Sequence, residues 1–157
     1  MDIEYKKIEI SKESLNCHNE KYLEQLVLLS NEWEAEKCSP SYSTNSKNYF
    51  IEKELFVAII GDEIVAYALG EINTLKEATS YNKIGEKSFE LDELYVAKPY
   101  RKRKIGQQLY LFLESYLNTR VDLIGVIATS FRYKELLSFY IDELEMNFNH
   151  ALLVKRI

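Results

Sequence analysis

The apolar positions along the chain change period several times, and each change marks an element. Ile3, Tyr5, Ile8 and Ile10 alternate with one slip and predict a first strand over Ile3 to Ile10. From about Asn19 to Glu36, Tyr22, Leu26, Leu29 and Trp33 recur at helical spacing, and the helix should stop near Ser39-Pro40, because the residue before a proline disfavours the α region. A polar loop, residues 38–46, precedes a short helix over Lys47 to Glu54 that Asn45-Ser46 could cap. Leu55 to Ile60 and Ile64 to Ile72 read as paired strands around the turn Gly61-Asp62-Glu63. After a polar connection over Asn73 to Lys87, the stretch Lys87 to Ala97 forms a long strand. It leads through a proline turn and four consecutive basic residues, Arg101 to Lys104, into a helix with Ile105, Leu109, Phe112, Leu113, Tyr116 and Leu117 on one face. Val121 to Thr129 suits a buried strand, Tyr133 to Leu144 a helix with Leu136, Leu137, Tyr140, Ile141 and Leu144 on one face, and Phe148 to Ile157 a strand closing the sheet.

A chain of 157 residues suffices for one domain, residues 1–157, and is short for two. The hydrophobic share of 46% and the charged share of 29% are globular values, and no apolar run approaches a membrane span. The N-terminal stretch does not read as a leader, so a cytoplasmic protein is expected. Two cysteines and two histidines without ligand spacing predict reduced thiols and no metal. A net charge of -5 argues against nucleic-acid binding and leaves the basic loop as a local exception, so cationic partners are favoured.

The order strand, turn, basic loop, glycine, helix is what gives that loop its meaning. Unpaired N–H groups and the positive end of the dipole at the start of a helix attract an anion, and Gly106 permits close approach of backbone. Neither the P-loop spacing nor the dinucleotide fingerprint occurs, so an NTPase and a dinucleotide dehydrogenase are not supported.

The loop resembles the acyl-CoA signature [QR]-x-x-G-x-[GA] of the GNAT N-acetyltransferase superfamily: Arg101 takes its first position and Gly106 its last, while Lys104 stands where the first glycine is usual. Phe139 to Leu144 is similar to the family's F-Y-x-x-L segment, stretched by one residue, with Tyr133 where an asparagine is frequent. The resemblance implies an α/β (α+β) fold: a central mixed, mostly antiparallel sheet of six to seven strands flanked by about four helices and splayed at the acyl-CoA site. It implies acetyl-CoA as cofactor, held by Leu94, Tyr95 and Val96 and by the loop and first helical turn, Arg101, Lys102, Arg103, Lys104, Ile105, Gly106, Gln107 and Gln108. Trp33, Tyr42 and Glu36 would border the acceptor, with Tyr49, Phe50, Glu32 and Glu34 as further lining candidates. A homodimer is compatible with it.

The implied reaction is direct acetyl transfer to a primary amine of a small molecule in a ternary complex. An alkylamine with a pKa of ~10.4 must lose a proton before it attacks, so a carboxylate is needed. Glu90 and Asp92 lie two apart on the strand, share a face, and occupy positions where the family often places a base. Glu93 points the other way unless a bulge changes the phase. Tyr140 occupies the place of the family's general acid, and on its apolar helix face it could equally be a core tyrosine. Two other functions fit the same residues: an acyl-CoA-binding regulatory domain without turnover, and acetyl transfer to a protein or peptide amine.

Overall fold

The computed structural model describes residues 2–157. One mixed sheet in the order β1-β2-β3-β4-β5 carries helices on both faces. β1 (Glu4–Ile8), β2 (Glu54–Ile60), β3 (Glu63–Thr74) and β4 (Lys87–Val96) pair antiparallel in sequence order, and β5 (Leu123–Val126) joins β4 in parallel. Gly61 at φ +62° makes the β2–β3 turn, a conformation that costs a glycine little.

α1 (Cys17–Glu36) covers one face and α3 (Ile105–Leu117) the other. α1 begins two residues earlier than the apolar pattern indicates, because the Asn16 side chain accepts the N–H groups of His18 at 3.0 Å and Asn19 at 2.9 Å. Tyr22, Leu23, Leu26 and Leu29 bury its inner face against Tyr67, Leu69 and Tyr95. On the other side Ile105, Leu109, Tyr110, Leu113 and Leu117 pack on Phe56, Phe89 and Leu91. Each fully buried Leu or Ile stabilises the fold by roughly 1.5–3 kcal/mol relative to exposure. β2 and the first part of β3 therefore lie between two apolar layers, which explains their continuous apolar runs.

Several expectations are corrected. The sheet has five strands, not six to seven. Phe148 to Ile157 forms no strand: an isolated extended segment has no ladder bonds until it lies along an edge, and these residues lie along none. β5 is shorter than Val121 to Thr129 and half-buried, as the last strand of the sheet. α2 spans only Lys47–Phe50. The last helix divides into α4 (Tyr133–Ser138) and a π-helical turn over Phe139–Glu143, closed by the Leu144 N–H on the Phe139 carbonyl at 3.1 Å. The one-residue stretch of the F-Y segment is thus absorbed as a π-bulge, the usual way a helix accommodates one extra residue.

Candidate active site

The site starts where β4 and β5 part. Their parallel pairing runs from Ser88↔Leu123 to Leu91↔Val126 and then ends, so the edge of β4 beyond Leu91 has no strand beside it. A cleft of about 700 Å³ opens there, with Leu94, Tyr95 and Val96 on one wall and Thr129 and Ser130 on the other. Its floor is the start of α3, including Ile105, Gly106 and Gln107, and Lys102 and Lys104 stand at its side. The Cys38 carbonyl accepts the Phe131 N–H at 2.8 Å and the Ser130 hydroxyl at 3.2 Å, tying the loop after α1 to the loop after β5.

The basic loop has a distinctive backbone. Lys102 and Lys104 adopt φ +62° and +61°, the left-handed region that a side chain penalises by about 1–2 kcal/mol per residue. Lys104 is followed by the right-handed Ile105, and a left-handed residue beside a right-handed one turns successive N–H groups toward one point, forming an anion-binding nest. Lys104 is the N-cap of α3 and no side chain caps the helix, so its first N–H groups remain available. Gln108 is an exception among the expected cofactor residues, because its N–H makes the first intrahelical bond, to the Lys104 carbonyl at 2.9 Å. Gly106 is not in the left-handed region. A Cβ there would stand 3.3 Å from Val96 Cγ2 and 3.6 Å from Leu94 Cδ2, so α3 lies close against the cleft wall and a side chain at this position would crowd Val96.

Arg101 and Glu36, expected on the donor and the acceptor side, both line the cleft and pair with each other. The Glu36 carboxylate takes both terminal nitrogens of Arg101, one at 2.8 Å, while Arg101 Nε donates to the Val96 carbonyl at 2.9 Å. Arg101 therefore ties the end of β4 to α1, and the pair balances the Glu36 charge. The guanidinium contact holds the Glu36 carboxyl below the ordinary range. Arg103 lies 5.9 Å over the Tyr100 ring. The Arg101 guanidinium also lies 5.2 Å over the Tyr95 ring, which stacks on Trp33 at 5.3 Å, and Trp33 stacks on Tyr42 at 4.3 Å.

That stack leads from the cleft to a polar cluster around Glu93. A bulge between Leu69 and Gly70 pairs Leu69 with Glu93 and Gly70 with Leu91, leaving Asp92 as the extra residue of β4. Phe89 and Leu91 therefore face α3, whereas Glu93 and Tyr95 face α1. Glu93 is 8% exposed, and its two carboxylate oxygens accept Asn45 Nδ2 at 2.8 and 3.0 Å, one also taking the Tyr67 hydroxyl at 2.8 Å. Asn45 is held in turn by its N–H on the Ser30 hydroxyl at 2.9 Å, and Ser30 lies 2.6 Å from the Tyr42 hydroxyl. Burial raises the Glu93 pKa above the ordinary carboxylate range; the Asn45 and Tyr67 hydrogen bonds oppose this and the neighbouring Asp92 charge reinforces it.

Glu90 and Asp92, the expected bases, are exposed. Asp92 lies 3.5 Å from Lys53 Nζ, which also pairs with Glu71 and sits 4.9 Å over the Tyr49 ring. Tyr140 is buried in the π-helical turn, its ring 5.2 Å from Phe139, and burial and then the Tyr110 side chain push its pKa up. Leu136, Phe139 and Glu143, on either side of it, line the cleft. The structure thus gathers Leu94 to Val96 with Lys102, Lys104 and the start of α3, and Trp33 and Tyr42 with Glu93, but leaves Glu90 apart. Glu93, Asn45 and Tyr67 were missed as a unit, although the apolar phase of β4 slips from Phe89 and Leu91 to Leu94 and Val96.

Residues 21–143 match the sequence profile of the acetyltransferase (GNAT) family. The chain belongs to that family, which is a family of acyltransferases. Among solved structures, this GNAT acetyltransferase is similar to an aminoglycoside acetyltransferase from an uncultured soil metagenomic sample, with a TM-score of 0.68 and 13% identity over 99% of this chain and 96% of that one. An aminoglycoside N-acetyltransferase in complex with CoA matches with a TM-score of 0.67 and 10% identity over 99% and 95% of the two chains. A ribosomal-protein-alanine N-acetyltransferase from Brucella melitensis biovar Abortus 2308 matches with a TM-score of 0.64 and 12% identity over 99% and 100%. These likenesses share the fold. No curated protein sequence matches the chain. Among the described residues no helix is long and apolar enough to cross a membrane, and no group of three or more His, Cys, Asp or Glu could hold a metal ion.

Proposed function

We propose that the chain is a single-domain, acetyl-CoA-dependent N-acetyltransferase that acetylates a primary amine of a small molecule by direct attack. The observation that carries this reading is the placement of a buried carboxylate, Glu93, one residue before the open β4 edge at Leu94 to Val96. Base and donor site are then neighbours on one strand.

The residues of the cleft fit an acyl-CoA. The open edge of β4 offers backbone groups to an amide-bearing chain, as an added strand would use them. The uncapped start of α3 and the nest at Lys104 suit a pyrophosphate, with the Lys102 and Lys104 ammonium groups beside it. Acetyl-CoA supplies the activated acyl group as a thioester. A β4 N–H directed into the cleft polarises the carbonyl under attack.

Glu93 takes the proton from the incoming ammonium, replacing Glu90 and Asp92 in that role. A raised pKa brings a carboxylate closer to the amine it must deprotonate, and Asn45 and Tyr67 hold it in one orientation. Tyr140 provides the proton for the departing thiolate; the same burial that raises its pKa keeps it protonated. Trp33 and Tyr42 form an aromatic wall beside the acceptor. The names of the structural neighbours put aminoglycosides first among acceptors to test.

The test is release of free thiol from acetyl-CoA with aminoglycosides, polyamines, amino acids and peptides in turn. Turnover with a small amine that is lost in Glu93→Gln supports the proposal. Acetyl-CoA binding without turnover on any acceptor would make the chain a sensing domain, and turnover on peptides alone would move it to protein acetylation.

A further inference from the structure

Residues 42–46 carry two side chains of the site and form no helix or strand of their own. Tyr42 makes an aromatic wall with Trp33, and Asn45 spans the Glu93 carboxylate. What holds this segment is α1. Ser30 and Glu34, one turn apart on that helix, take the N–H groups of the consecutive residues Asn45 and Thr44, at 2.9 and 3.1 Å. Glu34 is exposed, whereas Ser30 is fully buried, does not line the cleft and makes no hydrogen bond to Glu93.

The hydrogens of this group can be placed one by one. Asn45 Nδ2 has two: one goes to Glu93, and the Tyr42 hydroxyl oxygen, at 3.4 Å, receives the other. Tyr42 can accept there only while its own O–H points elsewhere, and the Ser30 oxygen lies 2.6 Å away. Ser30 then accepts twice, from the Asn45 N–H and from the Tyr42 hydroxyl, which occupies both of its lone pairs. Asn45 is thereby fixed at two points, its backbone directly and its amide through Tyr42. A turned amide would set its oxygen against the carboxylate, so the hold on Asn45 decides whether Glu93 meets a donor or a repelling dipole.

We propose that Ser30 is a positioning residue for the acetyl transfer: from α1 it holds Asn45, and through Asn45 it holds the Glu93 carboxylate in the orientation that takes the proton. This rests on the reading of Glu93 as the base. The ionisable groups around that carboxyl are Asp92 on β4, Tyr67 on β3, Lys53 ahead of β2, Tyr49 on α2 and Tyr42, with Glu34 of α1 beyond Tyr42. Ser30 is neutral, so removing its hydroxyl changes no charge among them. What changes is the donor, because an Asn45 released from Ser30 leaves the carboxylate and the charged form loses a hydrogen bond.

The experiment follows the titration of Glu93 by carbon NMR on the intact protein labelled at the glutamate carboxyl carbon, the Glu93 signal being the one that Glu93→Gln removes. In Ser30→Ala the midpoint should rise by about one pH unit, the scale of one hydrogen bond to a charged group. The same change in an Asn45→Ala background should add nothing further, because the path through Asn45 is already cut. Ser30→Cys keeps the volume with a poorer acceptor and should move the midpoint the same way, which serves where the alanine variant does not fold. A midpoint that stays or falls in the folded variants overturns the inference, and so does an equal rise with and without Asn45. Full thiol release in Glu93→Gln would sink the base reading, whereas the titration reports on the hold of Ser30 independently of it.

Discussion

Asn45 Nδ2 spans the Glu93 carboxylate, 2.8 Å from one oxygen and 3.0 Å from the other, across a gap of chain that joins the loop after α1 to the middle of β4. The amide gives the carboxylate a fixed plane and a donor without giving it a charge. Glu93 is therefore buried and oriented, yet not neutralised as Glu36 is by Arg101.

Glu93→Gln should reduce the catalytic rate at neutral pH by roughly 10²–10⁴-fold, the span of general base catalysis, while acetyl-CoA affinity stays within a few-fold. Raising the pH should restore part of the rate, because the amine then arrives deprotonated. Steady-state kinetics across pH with one small amine, beside calorimetric titration of the cofactor, measure both. A rate equal to wild type at every pH would remove Glu93 from the reaction.

Stability should follow the same carboxylate. Its folded pKa lies above the unfolded value of ~4.3, so the favourable contribution is complete below that value and is lost as pH rises through the folded pKa. Thermal unfolding of wild type and Glu93→Gln over this range should show the wild type losing ground to the variant as pH increases. The opposite trend would mean that the Asn45 and Tyr67 hydrogen bonds outweigh burial.

Tyr140→Phe keeps the ring on Phe139 and removes only the hydroxyl. With a proton-donating role, the rate should fall by roughly 10²–10⁴-fold with unfolding free energy nearly unchanged. A core role would instead cost about 1 kcal/mol of stability and leave the rate intact. Measuring both quantities on one preparation separates the two.

Lys104→Gly sets backbone strain against charge. A glycine at φ +61° should stabilise the fold by about 1 kcal/mol by removing the Cβ penalty, seen in chemical denaturation. It should also weaken acetyl-CoA binding and flatten its salt dependence, because one ammonium leaves the cleft. Tighter binding by the variant would show that strain, not charge, governs the loop.

The parts of this architecture that could be read directly from the residues are those whose apolar spacing persists. α1, α3 and the β2–β3 hairpin have long periodic faces or a two-sided apolar run with a glycine turn, and local pattern and tertiary burial agree there. The cleft was legible from element order alone, with Leu94 to Val96, Arg101, Lys102 and Lys104 to Gln107 lining it. Asn45 and Tyr67 could not be found this way, because they meet Glu93 from distant segments and carry no spacing that announces it. The Arg101–Glu36 pair could not be found for a related reason: a basic residue in a basic loop carries no sign of a partner on α1. The left-handed conformation of Lys104 left one trace, a signature position where glycine is usual, while that of Lys102 left none, since lysine has no preference for that conformation.

The bulge at Asp92 makes the position of the carboxylate a matter of counting. Side chains of a strand alternate between the two layers, and with Asp92 outside the ladder Leu91 and Glu93 occupy successive rungs opposite Gly70 and Leu69, so they face opposite layers. Deleting Asp92 would keep that order, whereas drawing Asp92 back into a regular ladder would send the Glu93 side chain into the apolar layer beneath α3. In kin of this chain, the presence of the bulge, more than the identity of the acids, would show which of them can reach an acceptor.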